Sequence, residues 1–289
     1  MTQTVVRPAS RPQRPWGAMV GSALTATARV SPRLAGRLAL ELWRRPGRPV
    51  PVRPTERAVH EAATTSYVDH CGRVTVYAWG DGARPVLLVH GWGARASRFA
   101  DLVTALLDRG YSPVSYDAWG HGATPGPVRT IVDHQVVVAA LAARYGGFAG
   151  VVAHSFGVPI ALYAVREGLD ADRVVAISGM GDFGHVVDGF CAELGVGEPV
   201  GRELRRAIER RYFAGDDGIW ERFSVGPMRG HELLVVHDTD DRVVDVRQAD
   251  LLAAAGGEVL RTSGLGHSRI LGDPDVVADV VAFLDRSRS

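Results

Sequence analysis

From Thr64 onward, short runs of β-branched and aliphatic residues alternate with longer amphipathic stretches, and this alternation narrows the possible folds more than any other feature of the chain. TTSYVD and RVTVYAW flank the turn His70-Cys71-Gly72 and predict a β-hairpin. PVLLVH (85–90), YSPVSYD (111–117), FAGVVAH (148–154), DRVVAIS (172–178), HELLVVHD (231–238) and EVLRTS (258–263) are apolar runs of strand length. Helical patterns lie between them: RFADLVTALLDRG closed by Gly110, then 129–146, then 155–167. Two more follow, one capped by Asp245 with Gln248 three residues on, the last opened by Asp273-Pro274. The alternation predicts an α/β architecture: a mostly parallel central sheet with helices on both faces.

The alternation lapses over residues 179–230, which read as a small helical cap inserted after the strand at 172–178. VGRELRRAIERRYF (200–213) is the clearest helix of that insertion. The core is then expected over 56–178 and 231–289. In an open parallel sheet the site lies beyond the carboxyl ends of the strands, so an insertion after a strand is in position to roof it.

Residues 1–55 form a basic arm. Its first fifteen residues are rich in Pro and Arg and read as disordered. Over 30–43 the spacing of Val30, Leu34, Leu38 and Leu42 makes one helical stripe, expected to pack on the domain that follows. The competing expectation is a peripheral contact of this arm with an anionic membrane surface. RRPGRPVPVRP (44–54) is a linker by composition.

Composition restricts the chemistry further. The chain has 289 residues, 46% hydrophobic and 22% charged, which is ordinary for a globular protein. A formal net charge of +1 gives no case for nucleic-acid binding. All 33 basic residues are arginine, so Schiff-base chemistry and Walker-type phosphate loops, which need lysine, are excluded. Cys71 and Cys191 stand far apart, without companions at metal-ligand spacing, and are expected to be two isolated thiols in a reducing compartment. No apolar run reaches the roughly 18 residues that span a bilayer. No acidic side chain precedes Glu41, but the segment WGAMVGSALT is too polar and glycine-rich for a secretory signal. A cytoplasmic location is expected.

VVAHSFGV (151–158) then places Ser155 where a buried strand ends and a helix begins. This is the context of a nucleophile elbow, G-x-S-x-G, whose tight turn needs small residues two before and two after the serine. Ala153 and Gly157 stand there. The helix N-terminus would favour developing negative charge. The same serine would serve equally as a helix N-cap, so its partners decide.

HGWG (90–93) follows the strand at 85–89, and the backbone N–H of Trp92, with that of Phe156, would make a two-donor oxyanion hole. GLGHSRIL (264–271) places His267 in a glycine-flanked loop after a late strand, where a general base must sit to reach Ser155. His90 and His154 are expected to serve packing or orientation, and His121 to stabilise its own turn. HDTDDRVV (237–244) offers the acid, with Asp238, Asp240, Asp241 and Asp245 in competition.

Together HGWG, AHSFG, HDTDD and GLGH, in that order and each just after a predicted strand, resemble the α/β-hydrolase superfamily over residues 64–286. Members often carry G-x-x-D-x-x-V/P at the acid. Matching Asp238 to the Gly of that pattern implies Asp241 as the triad acid, with Asp240 as competitor. Members that take the acid from the end of the preceding strand imply Asp182 instead.

The expected activity is that of a serine hydrolase cleaving carboxylic esters or related acyl compounds through an acyl-enzyme. Ser155 would be nucleophile, His267 base and Asp241 orienting acid, with no metal or organic cofactor. Phe183, Phe190, Leu194, Trp220 and Phe223 are candidate pocket-lining residues, although they serve equally as the insertion's own core. Thioester, lactone and C–C bond cleavage fit the same residues. A second class is a ligand-binding or signalling protein on the hydrolase scaffold with slow or no turnover, for which Ala153 and Asp238, the departures from pattern, argue.

Overall fold

Each of the eight expected strands forms in the computed structural model, which describes residues 15–228 and 230–286. The strands are β1 (Thr64–Asp69), β2 (Arg73–Ala78), β3 (Pro85–Val89), β4 (Ser112–Tyr116), β5 (Gly150–His154), β6 (Arg173–Ile177), β7 (Glu232–Asp238) and β8 (Glu258–Thr262). They make one sheet in the order β1-β2-β4-β3-β5-β6-β7-β8. The pairs β1–β2 and β2–β4 are antiparallel, and all the others are parallel.

All five residues of each of β4, β5 and β6 are buried; most are apolar, and the polar side chains of Ser112, Ser115, His154 and Arg173 are hydrogen-bonded. Successive strand residues point to opposite faces. Val86, Leu88, Val152, Val175, Leu234 and Val236 share one face and pack with Leu102, Leu106, Val276 and Val280 from the helices Ala100–Leu107 and Pro274–Leu284. The helices Ile131–Tyr145 and Gly157–Arg166 form a second packed pair, and the latter lies on β3, β5 and β6.

Chain order reverses at β3: β4 lies on one side of it and β5 on the other. Open α/β sheets form their binding crevice at such a switch point. HGWG follows β3 and the Ser155 turn follows β5, so both flank it.

The chain divides into two compact units, 44–183 with 218–289, and 1–43 with 184–217. The first holds the whole sheet. It also holds the segment expected as a linker: the Val50 and Pro51 carbonyls accept hydrogen bonds from Arg95 and Arg98, and buried Glu56 accepts from Ser97 Oγ at 2.7 Å.

The second unit packs the helices Pro15–Val30, Pro32–Trp43, His185–Leu194 and Glu198–Tyr212 together. The basic arm therefore groups with part of the expected cap, and the boundaries fall at 184 and 217 rather than 179 and 230. The Pro/Arg-rich segment 1–14 lies outside the described residues. The expected stripe is not the buried one: Val30, Leu34 and Leu38 are exposed, while Ala35, Gly36, Ala39 and Leu40 are buried. Small residues win because the backbones come close. A Cβ built on Gly36 would lie 2.6 Å from the Glu203 carbonyl oxygen.

Among the described residues, no helix is long and apolar enough to cross a membrane.

Candidate active site

The Ser155 backbone adopts φ +55°, a left-handed conformation that costs a non-glycine residue about 1–3 kcal/mol. Its surroundings hold it there. The Ser155 N–H donates to the Ile177 carbonyl on β6 at 3.0 Å, and its own carbonyl accepts from Val158 N–H at 3.0 Å. Gly157 lets the new helix lie against β3: a Cβ there would be 2.2 Å from the Val89 carbonyl oxygen. The other small position is filled by Ala153, fully buried between Val89 and Ala176 in the ladder.

His267 Nε2 lies 3.0 Å from Ser155 Oγ, and His267 Nδ1 lies 2.7 Å from Asp241 Oδ2. The serine is 8% exposed and the Asp241 side chain is fully buried. Burial alone would raise the Asp241 carboxyl. The His267 ring and the N–H groups of Val243 and Val244, at 2.7 and 3.0 Å from Oδ1, more than offset this and hold it below the ordinary carboxylate range. An ionised Asp241 accepts from Nδ1–H, which leaves the Nε2 lone pair facing the hydroxyl.

The competing acids do other work. Asp240 Oδ2 accepts the Gly264 N–H at 2.8 Å, at the start of the histidine loop. Asp182 accepts from Ser224 Oγ at 3.5 Å. Asp245 bonds the Arg247 backbone and guanidinium.

Asp238, the departure from the family pattern, is fully buried at the end of β7. Its Oδ2 accepts from Thr262 Oγ1 at 2.7 Å and Leu265 N–H at 3.0 Å, and Oδ1 accepts from Asp240 N–H at 2.9 Å. Burial opposes its charge, but these donors hold its carboxyl below the ordinary range. One carboxylate thus ties the acid loop to the histidine loop.

Buried neutral histidines shape the rest. Burial, reinforced by His267, pushes the pKa of His154 down to about 3, so its Nε2–H donates to the His267 carbonyl at 2.8 Å. His90 Nδ1 bonds the Gly91 carbonyl at 2.8 Å while its Nε2 accepts from Ala118 N–H at 3.0 Å. His121 reaches beyond its own turn: Nε2 accepts the Gly93 N–H at 3.0 Å. The turn after β3 is therefore fixed by two imidazoles. A Cβ on Gly91 would lie 2.7 Å from Ser155 Cβ, which brings the backbone just before Trp92 against the serine. The Trp92 and Phe156 rings meet edge to face at 5.8 Å.

Of the candidate lining residues, Phe183 lies 6.3 Å from the Phe156 ring, 5.6 Å from Trp220 and 5.3 Å from Phe223, centroid to centroid. Phe190 and Leu194 belong to the helical unit, where Leu194 is buried beside Gly17 and Gly21.

Two residues do work that their sequence context does not show. Gln248 was expected to complete a cap with Asp245, but its Oε1 instead accepts the Gly181 and Asp182 N–H groups at 3.0 and 2.9 Å, pinning the loop after β6. Buried Asp117 accepts from Tyr77 Oη and from the Ala96 and Ala123 N–H groups at 3.0, 2.8 and 2.7 Å. Its place in DAWGHG directly after a strand was the available signal.

A stretch of 48 residues, 16% of the chain, is 42% identical to a non-heme chloroperoxidase from Kitasatospora aureofaciens and spans 17% of that protein. An esterase from Pyrococcus furiosus superposes with a TM-score of 0.60 at 18% identity, covering 84% of this chain and 98% of its own. The esterase RhEst1 from Rhodococcus sp. gives 0.57 at 19% identity, covering 77% and 98%. These structures share the fold. Residues 86–280 match the alpha/beta hydrolase family, and the chain belongs to it.

Proposed function

We propose that the protein is a serine hydrolase of carboxylic esters or related acyl compounds. The observation that carries this reading is the chain of contacts Ser155 Oγ, His267 and Asp241 at 3.0 and 2.7 Å. Ser155 Oγ attacks the acyl carbon while His267 Nε2 takes its proton. Asp241 holds the Nδ1–H tautomer and stabilises the imidazolium. The Trp92 and Phe156 amides hold the oxyanion, and losing one such donor costs about 3 kcal/mol of transition-state stabilisation. Collapse expels the alcohol, protonated by His267. Water, deprotonated by the same imidazole, then cleaves the acyl-enzyme. Neither step calls for a metal or organic cofactor.

His154 stays neutral beside His267, so no second positive charge opposes the imidazolium as it forms. A panel of p-nitrophenyl esters of graded acyl length, with Ser155→Ala as the blank, tests the reading. Turnover of at least one ester well above that blank is expected. No turnover of any ester above the Ser155→Ala blank would overturn it and favour a binding module on the same scaffold.

A further inference from the structure

His70 and Cys71 sit at the tip of the β1–β2 hairpin, and Asp133 lies in the first turn of the helix Ile131–Tyr145, 62 residues beyond the cysteine. The fold brings their ligand atoms together. His70 Nε2 is 3.2 Å from Asp133 Oδ1, Cys71 Sγ is 3.8 Å from the same oxygen, and Cys71 Sγ is 3.7 Å from His70 Nε2. Among the described residues, this is the one group of three or more His, Cys, Asp or Glu side chains with all ligand atoms within 4.8 Å.

We propose that His70, Cys71 and Asp133 bind a zinc-class divalent cation as a three-ligand site completed by water. Bonds of about 2.3 Å to sulfur, 2.0 Å to nitrogen and 2.1 Å to oxygen at tetrahedral angles separate the ligand atoms by about 3.3–3.6 Å. The observed triangle of 3.2, 3.7 and 3.8 Å closes on that geometry with shifts of a few tenths of an ångström. A thiolate, an imidazole and one carboxylate oxygen suit zinc, whereas magnesium and calcium prefer oxygen alone.

The surroundings hold the three donors in place. Asp133 Oδ2 accepts from Thr130 Oγ1 at 2.7 Å and Thr130 N–H at 3.0 Å, which turns Oδ1 toward the hairpin. Ligating carboxylates are commonly oriented by such outer hydrogen bonds. The His70 ring meets Trp119 edge-on at 6.0 Å. Arg129 donates to the Cys71 carbonyl at 3.4 Å, and Cys71 itself holds φ +50°, a conformation unusual for a residue with a side chain.

Without metal, the His70 N–H and Cys71 S–H both point at one carboxylate oxygen, in the region a cation would occupy. On binding, the thiol proton passes to solvent and His70 takes the Nδ1–H tautomer, freeing Nε2. The cation gains bonds to S⁻, N and O with no change of oxidation state. The resulting cross-link ties the hairpin at the sheet edge to the helix, so binding free energy becomes folding free energy.

The test is a Co²⁺ titration of chelator-treated protein, followed by Zn²⁺ competition against a chromophoric chelator and thermal melts with and without Zn²⁺. A thiolate-to-cobalt charge-transfer band at one equivalent is expected, with a rise in melting temperature on adding Zn²⁺. Cys71→Ser should lose the band and weaken Zn²⁺ binding at least ten-fold. Asp133→Asn should weaken it as well, its metal-free melt correcting for the lost helix cap. Absence of the band in wild type, or Zn²⁺ affinity unchanged in Cys71→Ser, would overturn the site.

Discussion

Asp238 accepts the Leu265 N–H at 3.0 Å, so the strand that leads into the acid loop also grips the loop that carries His267. Where the family pattern often has glycine, this chain has a carboxylate that fixes the distance between two members of its candidate triad. Replacing it with alanine leaves the part-buried Leu265 N–H, Thr262 Oγ1 and Asp240 N–H without their acceptor, a loss of about 0.5–1.5 kcal/mol per hydrogen bond. Asp238→Ala should lower the urea midpoint. It should also reduce kcat about ten-fold or more in the fraction that remains folded, with KM little changed. A stable variant with wild-type kcat would show that Asp238 positions nothing.

The acid assignment separates cleanly. Asp241→Asn keeps the shape but reverses the hydrogen bond that selects the His267 tautomer, and a loss of about 10⁴ in kcat is expected. Asp240→Asn and Asp182→Asn should each stay within ten-fold of wild type. If Asp241→Asn is the mild variant, the orienting acid lies elsewhere.

Two glycines test the turn geometry in different ways. Gly157→Ala pushes a Cβ into the β3 backbone and should destabilise the protein as a whole, read as a lower thermal midpoint. Gly91→Ala presses on the Ser155 side chain itself and should lower esterase turnover more than it lowers the melt. Equal losses of activity and stability in both variants would contradict this distinction.

Stability should depend on pH through the buried imidazoles. Burial holds His121 at about 4 and His134 and His154 at about 3 in the fold, against 6.5 when exposed. Between those values the unfolded chain binds more protons, so stability falls as pH drops below 6.5. The loss from pH 7 to pH 5 is about 1–2 kcal/mol per histidine. Asp238 and Asp241 contribute in the opposite range: their depressed values add stability that is lost only as pH falls below the ordinary carboxylate value of 3.8. Urea midpoints at pH 7 and pH 5 measure the effect. Equal midpoints would contradict neutral burial of these rings.

Much of this was legible because it rests on local pattern. The central strands are visible as apolar runs, since strands buried on both faces admit few polar residues, whereas the more exposed β1 and β8 show through their β-branched content and flanking turns. Ser155 and His267 stand out because each follows a strand in a tight turn or glycine-flanked loop, whereas Asp241 was singled out from its neighbouring aspartates only by the family resemblance. What the sequence hid depends on distant pairing. Gln248 fits a local cap in sequence and yet serves a loop more than sixty residues away. Asp133 completes a group with His70 and Cys71 that no spacing rule contains. The arm's apolar stripe gave way to a face of Ala and Gly because close helix packing rewards small side chains rather than hydrophobic ones.

The central claim is that the Ser155 hydroxyl is an activated nucleophile. Intact-mass and peptide analysis after exposure to a fluorophosphonate probe tests it most directly. The account predicts one adduct per chain, on Ser155, formed at a rate that collapses in His267→Ala although that variant stays folded. Folded wild-type protein that takes up no probe, or that reacts as fast without the imidazole, would contradict it.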